Sequence, residues 1–192
     1  MEAGKFGLGF GVALLALALQ SCATNAATDA PAAAATPQER LAAMRPVSAA
    51  MLQNPPTGDW LLWGRTYDGQ NFSPLKHITR ENVKGLAPAW RTPVQGGLNM
   101  PTPLVHDGVM FLNTAPDTVL AIDGATGTEL WRHAHVLTGG NSSMKMGLAL
   151  SGGQVFVPTS DLHVIALDAR TGQKAWDHAI ELSAPATAAN RM

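Results

Sequence analysis

The sequence predicts an all-β chain built from a repeated unit of short strands, and three observations lead there. Residues 108–112 (GVMFL) and 153–157 (GQVFV) share a glycine followed by a short apolar run. Residues 121–127 (AIDGATG) and 166–172 (ALDARTG) share an Asp-x-x-Thr-Gly stretch. Trp131 and Trp176 follow at matching places, and every pair lies 45 residues apart without a gap. A repeat of that length fits one four-stranded blade of a β-propeller.

Each part of the unit has a physical reason. Apolar runs at 109–112 and 155–157 follow glycine turns, the pattern of buried strands. Second strands follow at 119–122 and 164–167. The Asp-x-x-Thr-Gly stretches then read as tight turns: Asp123 and Asp168 accept backbone N–H bonds, and Gly127 and Gly172 supply positive φ. The next strands, 128–133 and 173–178, carry the tryptophans. One blade cannot bury both its faces, so Trp131 and Trp176 are expected to wedge between neighbouring blades. All six residues of this pattern are read as structural.

The N-terminus reads as an export signal over residues 1–21. Lys5 precedes an uncharged apolar run at 7–19, too short to span a bilayer comfortably but suited to a signal-peptide core. Leu19-Gln20-Ser21-Cys22 is similar to a bacterial lipobox, which makes Cys22 the candidate lipidation site. An ordinary secretory cleavage near Ala27 is the alternative. Both place the mature protein outside the cytoplasm, and the first expects a periplasmic lipoprotein held on a membrane. Residues 22–37 form an Ala/Thr/Pro-rich linker with no apolar periodicity. A short helical lead-in spans 38–57: Thr36-Pro37-Gln38-Glu39 has the capping-box pattern, and Pro46 ends the first helix. Residues 58–192 form the repeat domain.

Composition removes several function classes. Net charge is −1, which gives no electrostatic case for a nucleic-acid partner. The chain is only 14% charged, with 19 glycines and 13 prolines, as suits a loop-rich β domain. Cys22 is the one cysteine, so no intrachain disulfide, thiolate metal site or cysteine nucleophile can follow it. No Walker-type loop, His-Glu-x-x-His or Gly-x-Ser-x-Gly occurs.

The order of motifs resembles the opening of methanol- and ethanol-type quinoprotein (PQQ-dependent) alcohol dehydrogenases. The stretches that carry the resemblance are 58–65 (GDWLLWGR), 68–75 (DGQNFSPL), Asn82-Val83, Trp90, 102–111 (TPLVHDGVMF) and 159–171 (TSDLHVIALDART). It covers about residues 38–182 and implies a partial β-propeller, about two four-stranded blades of an eight-bladed quinoprotein propeller. Two blades cannot close such a ring, so the chain is expected to be the N-terminal part of a larger enzyme and inactive alone. The alternatives are a non-catalytic, lipid-anchored propeller scaffold and a truncated remnant.

The resemblance further implies PQQ and calcium as cofactors of the complete protein, not held tightly by this portion. Its substrate would be a small alcohol, and its electron acceptor a periplasmic protein such as a cytochrome c. Calcium acts as a Lewis acid and an aspartate as general base. The family draws its calcium ligands and catalytic Asp from later blades, so no catalytic or metal residue is assigned in this sequence. Thr159 is a candidate cofactor contact by position, with a backbone-bonded strand-end hydroxyl as the alternative. Lys145 is a candidate cation for the quinone oxygens, because Met146 stands where many members have arginine. Met100 stands where many have Glu or Gln, and Gly140-Asn141 where some have adjacent cysteines. Asp161 and His163 also resemble the family pattern.

Overall fold

The computed structural model describes residues 35–139, 144–145 and 147–181. The export signal, Cys22, most of the linker, Gly140-Asn141 and Met146 lie outside the described residues. Among the described residues no helix is long and apolar enough to cross a membrane.

Among the described residues, eight strands form two antiparallel four-stranded sheets in simple up-and-down order. Blade 1 contains β1 (Leu104–His106), β2 (Val109–Thr114), β3 (Thr118–Asp123) and β4 (Glu129–Ala134). Blade 2 contains β5 (Ala149–Ser151), β6 (Gln154–Pro158), β7 (His163–Asp168) and β8 (Lys174–Ala179). The repeat extends to the hydrogen-bond register. The β3–β4 pairing shifts between Ala121 and Ile122, and β7–β8 shifts at the equivalent Ala166 and Leu167. The first hairpin turns on Asp107 and Gly108, both with positive φ (46° and 80°), as an Asp-Gly two-residue loop favours.

The sequence-predicted second strands are the third strands of their blades, β3 and β7, and the turn after each is built the same way. Asp123 accepts from the Ala125 and Thr126 amides and from the Thr126 hydroxyl. Asp168 does so from the Arg170 and Thr171 amides and the Thr171 hydroxyl. Each turn closes on its glycine, at φ 73° for Gly127 and 70° for Gly172. An indole from the preceding unit then lies on that glycine. Trp131 Nε1–H donates to the Ala169 carbonyl at 3.0 Å, and Trp90 Nε1–H donates to the Gly124 carbonyl at 3.0 Å. A Cβ on Gly172 would come within 2.6 Å of the Trp131 ring, and one on Gly127 within 2.6 Å of the Trp90 ring. Glycine is therefore required twice at each turn, for backbone handedness and for space.

Gly172→Ala is expected to cost about 2–4 kcal/mol, from overpacking against Trp131 together with the left-handed backbone. Gly153→Ala, where nothing lies within 4 Å of the added Cβ, is the near-neutral comparison. Urea unfolding of the two variants measures the difference.

The main core lies between the blades. Val109, Phe111, Val119 and Trp131 of blade 1 pack with Val155, Val157, Ile165 and Leu167 of blade 2 in one buried cluster. Phe111 and Trp131 meet with ring centroids 5.9 Å apart. All of β3 is buried, whereas β8 is exposed along its whole length.

The lead-in fastens the two blades together. Helix α1 (Pro37–Ala43) has Thr36 and Glu39 in a reciprocal capping box and stops before Pro46. A shorter helix, α2 (Ala49–Gln53), follows with Ser48 as N-cap. Arg40 pairs with Asp123 at 2.7 Å, and Arg45 pairs with Asp107 at 2.6 Å, both on blade 1. Val47 exchanges backbone hydrogen bonds with Gly152 of blade 2. Met44 and Val47 enter the inter-blade core. Burial alone would raise the Asp123 carboxyl, but the Arg40 guanidinium and the Thr126 donors outweigh it and hold it below the ordinary carboxylate range.

Candidate functional site

The first strands of the two blades, β1 and β5, are approached by loops that join each other. The Met100 amide donates to the Lys145 carbonyl, and the Lys145 amide donates to the Leu98 carbonyl, each at 2.9 Å. Beside this junction lies a cavity of about 280 Å³ lined by Trp63, Met100, Thr102, Leu104, Gly147 and Leu148. Its lining is mostly apolar, and the Thr102 hydroxyl is the main side-chain polar group. Met100 is 67% exposed at its edge, and its thioether is only a weak acceptor.

Lys145 lies next to this cavity in sequence but spends its charge elsewhere. It is buried, and its ammonium donates to Asp117 Oδ1 at 2.6 Å and to the Ser160 hydroxyl. Asp117 in turn accepts from the Ser160 amide at 2.8 Å and from the Ser160 hydroxyl at 2.6 Å. Asp117 sits in the β2–β3 turn at φ 50°, and Ser160 in the β6–β7 turn, so the triad ties one blade to the other. Thr159 is also committed. Its hydroxyl donates to Asp161 Oδ1 at 2.6 Å and accepts from the His163 amide at 3.1 Å.

Asp161 organises a second polar cluster at the same end of the blades. Its carboxylate accepts from the Thr138 amide and hydroxyl, each at 2.9 Å, and meets His135 Nε2 at 3.1 Å. Burial pushes the carboxyl up, but the Thr138, Thr159 and His135 bonds prevail and hold it far below the usual range. A group so depressed contributes stability above its unfolded pKa of about 4, and loses it as pH falls through the folded value. Wild-type and Asp161→Asn unfolding midpoints in urea are therefore expected to differ at pH 6 and to converge as pH falls below about 4. His163 does not share this carboxylate; its Nδ1 meets Asp177 at 2.5 Å.

A third cluster, which the sequence reading did not find, holds the lead-in. His106 is buried, with Nδ1 2.7 Å from Asp59 Oδ2 and Nε2 2.8 Å from the Arg45 carbonyl. Asp59 also accepts from the Asp107 amide at 3.1 Å. Asp59, His106 and Asp107 are close enough for their ligand atoms to share an ion. Yet both His106 nitrogens already face oxygen partners, and the Arg45 guanidinium grips Asp107 through two bonds. The cluster is therefore built as a protein-only latch. Its members are 47 and 61 residues apart, too far for any local pattern to announce them.

Thus Lys145, Thr159 and Met100 come to one end of the two blades, but the first two have their polar groups satisfied within the protein. An anionic quinone needs cationic or N–H donors along its edge. The described residues offer an apolar wall and no uncommitted charge facing the cavity, so they do not complete a PQQ site by themselves.

Residues 60–148 match the family model described as glucose/ethanol/alcohol dehydrogenase, beta-propeller domain. The quinohemoprotein alcohol dehydrogenase ADH IIB of Pseudomonas putida is 44% identical over 101 residues, covering 52% of this chain and 14% of that protein. The dehydrogenase subunit of an alcohol dehydrogenase (quinone) from Gluconacetobacter polyoxogenes is 43% identical over 77 residues, covering 40% of this chain and 10% of the relative. Among solved structures, quinohemoprotein alcohol dehydrogenase ADHIIG from Pseudomonas putida HK5 superposes with a TM-score of 0.62 at 32% identity, over 70% of this chain and 21% of its own. A europium-containing methanol dehydrogenase superposes with a TM-score of 0.58 at 28% identity, over 67% of this chain and 24% of its own. The chain thus spans a small part of each relative's length.

Proposed function

We propose that this chain, whose residues 60–148 match the glucose/ethanol/alcohol dehydrogenase beta-propeller model, forms the first blades of a quinoprotein dehydrogenase that oxidises alcohols. The observation that carries this reading is the 44% identity over 101 residues to a quinohemoprotein alcohol dehydrogenase, in a chain whose described strands form two four-stranded sheets. In the complete protein PQQ would supply a hydride acceptor for the alcohol carbon, and a metal ion would supply Lewis acidity. We assign that ion as calcium.

The described residues act on this chemistry from the side. Leu104 and Leu148 line the cavity with apolar surface, the exposed Trp63 stands at its rim, and the Lys145–Asp117–Ser160 triad fixes the spacing of the blades behind it. The charged edge of the cofactor site, the metal ligands and the catalytic base are expected outside these residues. In the same reading residues 1–21 direct export to the periplasm, Cys22 carries a lipid that holds the protein on a membrane, and a cytochrome c takes the electrons. One observation favours the scaffold as the second reading: Met100 and Lys145 leave the cavity without a charged partner for PQQ.

An antibody to residues 58–181 tests the proposal on membrane and periplasmic fractions of the source cells. The captured protein is expected to run several-fold above 20.1 kDa and to reduce a dye with alcohol when PQQ and calcium are supplied. A captured protein of that larger size with no PQQ-dependent dye reduction would support the scaffold instead.

A further inference from the structure

Two histidines meet at the seam between the blades. His135 follows β4 of blade 1, and His163 opens β7 of blade 2. Their ring centroids stand 6.1 Å apart, with the planes tilted by 48°. Each ring rests one nitrogen on a carboxylate of blade 2. His135 Nε2 meets Asp161 at 3.1 Å, and His163 Nδ1 meets Asp177 at 2.5 Å. Asp161 and Asp177 are both held below the ordinary carboxylate range, so they are ionised and only accept. In each neutral ring the proton therefore sits on the nitrogen that meets the carboxylate, and the other nitrogen keeps its lone pair. Those other nitrogens, His135 Nδ1 and His163 Nε2, have no hydrogen-bond partner among the described residues. His106 is the contrast, since both its nitrogens face oxygens.

A carboxylate behind the ring and an open lone pair in front is how proteins orient a metal-ligating histidine. The donors select the ion. Imidazole nitrogen suits zinc and its neighbours, whereas calcium and magnesium want oxygen. Zinc sits ~2 Å from a ring nitrogen, which puts two rings sharing one tetrahedral ion about 5–6 Å apart centre to centre. The rings of His135 and His163 already stand near that separation. The His163 side chain is 21% exposed, which gives an ion a way in from solvent. We propose that His135 and His163 form a site for one divalent transition-metal ion of the zinc class, clasped between blade 1 and blade 2, with water completing its shell. Asp161 and Asp177 are its positioning residues. An ion held only by the native seam also stabilises the pairing of the blades. The site rests on the seam alone and needs neither PQQ nor the dehydrogenase reading.

The test titrates zinc chloride into the full chain, carrying no affinity tag, and follows the imidazole nitrogens by long-range ¹H–¹⁵N correlation spectra. One ion per chain is expected, shifting His135 Nδ1 and His163 Nε2 and leaving the nitrogens on Asp161 and Asp177 protonated. By calorimetry, His135→Gln and His163→Gln are each expected to weaken zinc binding at least about tenfold, and Asp177→Asn about 10–100-fold. His178→Gln, on the opposite face of β8 from Asp177, is expected to bind as the wild type does. Calcium chloride is expected to produce no shift. Zinc that moves neither nitrogen, zinc that moves His106 instead, histidine variants that bind like the wild type, or calcium that acts equally would each overturn the proposal. The nitrogen-resolved spectra are read on the wild-type chain, so the outcome does not depend on any variant folding. None of these readouts involves PQQ or alcohol oxidation, so a failure here is distinct from failure of the proposed dehydrogenase role.

Discussion

Trp131→Ala is expected to destabilise the chain by about 3–5 kcal/mol, the range for losing a large buried aromatic. Three things go at once. The ring leaves a gap between Phe111 and the Gly172 turn, the Ala169 carbonyl loses its donor, and the inter-blade core loses one of its largest members. The Gly172 turn cannot move in to fill the space, because its backbone is pinned by the Asp168 carboxylate. Trp176→Ala makes the internal comparison. That indole has the same place in its unit but is 41% exposed, so its removal is expected to cost much less. Urea titrations followed by circular dichroism measure both.

Lys145→Met has the second large effect, about 3–5 kcal/mol, because it leaves the Asp117 carboxylate buried without its cation. Both side chains are only 2% exposed, so water cannot replace the lost partner. The double variant Lys145→Met/Asp117→Asn is expected to recover much of the loss. Asparagine tolerates the positive φ at 117, and its side-chain oxygen still accepts from the Ser160 amide. A double variant no more stable than Lys145→Met alone would show that the cost lies in packing and not in the unpaired charge.

The architecture was readable because its signals are local and repeated. Asp123, Thr126 and Gly127 lie within five residues of one another, and their bonds form inside that span. The same holds for Asp168, Thr171 and Gly172. The capping box of Thr36 and Glu39 is local in the same way. The first strand of each blade was harder to see. Leu104–His106 and Ala149–Ser151 have three residues each, too few to show an alternation. Their strand character comes from pairing with β2 and β6 and, for β1, with Trp60 through Val105.

The site was much less legible. The family pattern drew attention to Lys145 and Thr159, and both lie between the blades. The Lys145 partner, however, is set by tertiary placement. Asp117 is 28 residues from Lys145 and carries no motif beyond its turn. The Thr159 hydroxyl bonds within its own turn, to Asp161 and the His163 main chain, so its sequence position alone could not separate a cofactor contact from a turn bond. The Asp59–His106–Arg45 latch joins three segments that touch only once the lead-in has folded back on blade 1.

The most direct test of the quinoprotein assignment is the PQQ content of the native protein. The protein captured from the source cells by an antibody to residues 58–181 would be denatured in acid, and the released PQQ measured against the amount of captured chain. Stoichiometric PQQ is the expected result, and it would identify the blades described above as one side of a working cofactor site. Captured protein free of PQQ, from cells whose other quinoproteins are loaded, would contradict the dehydrogenase assignment and leave a propeller that binds partners without the cofactor.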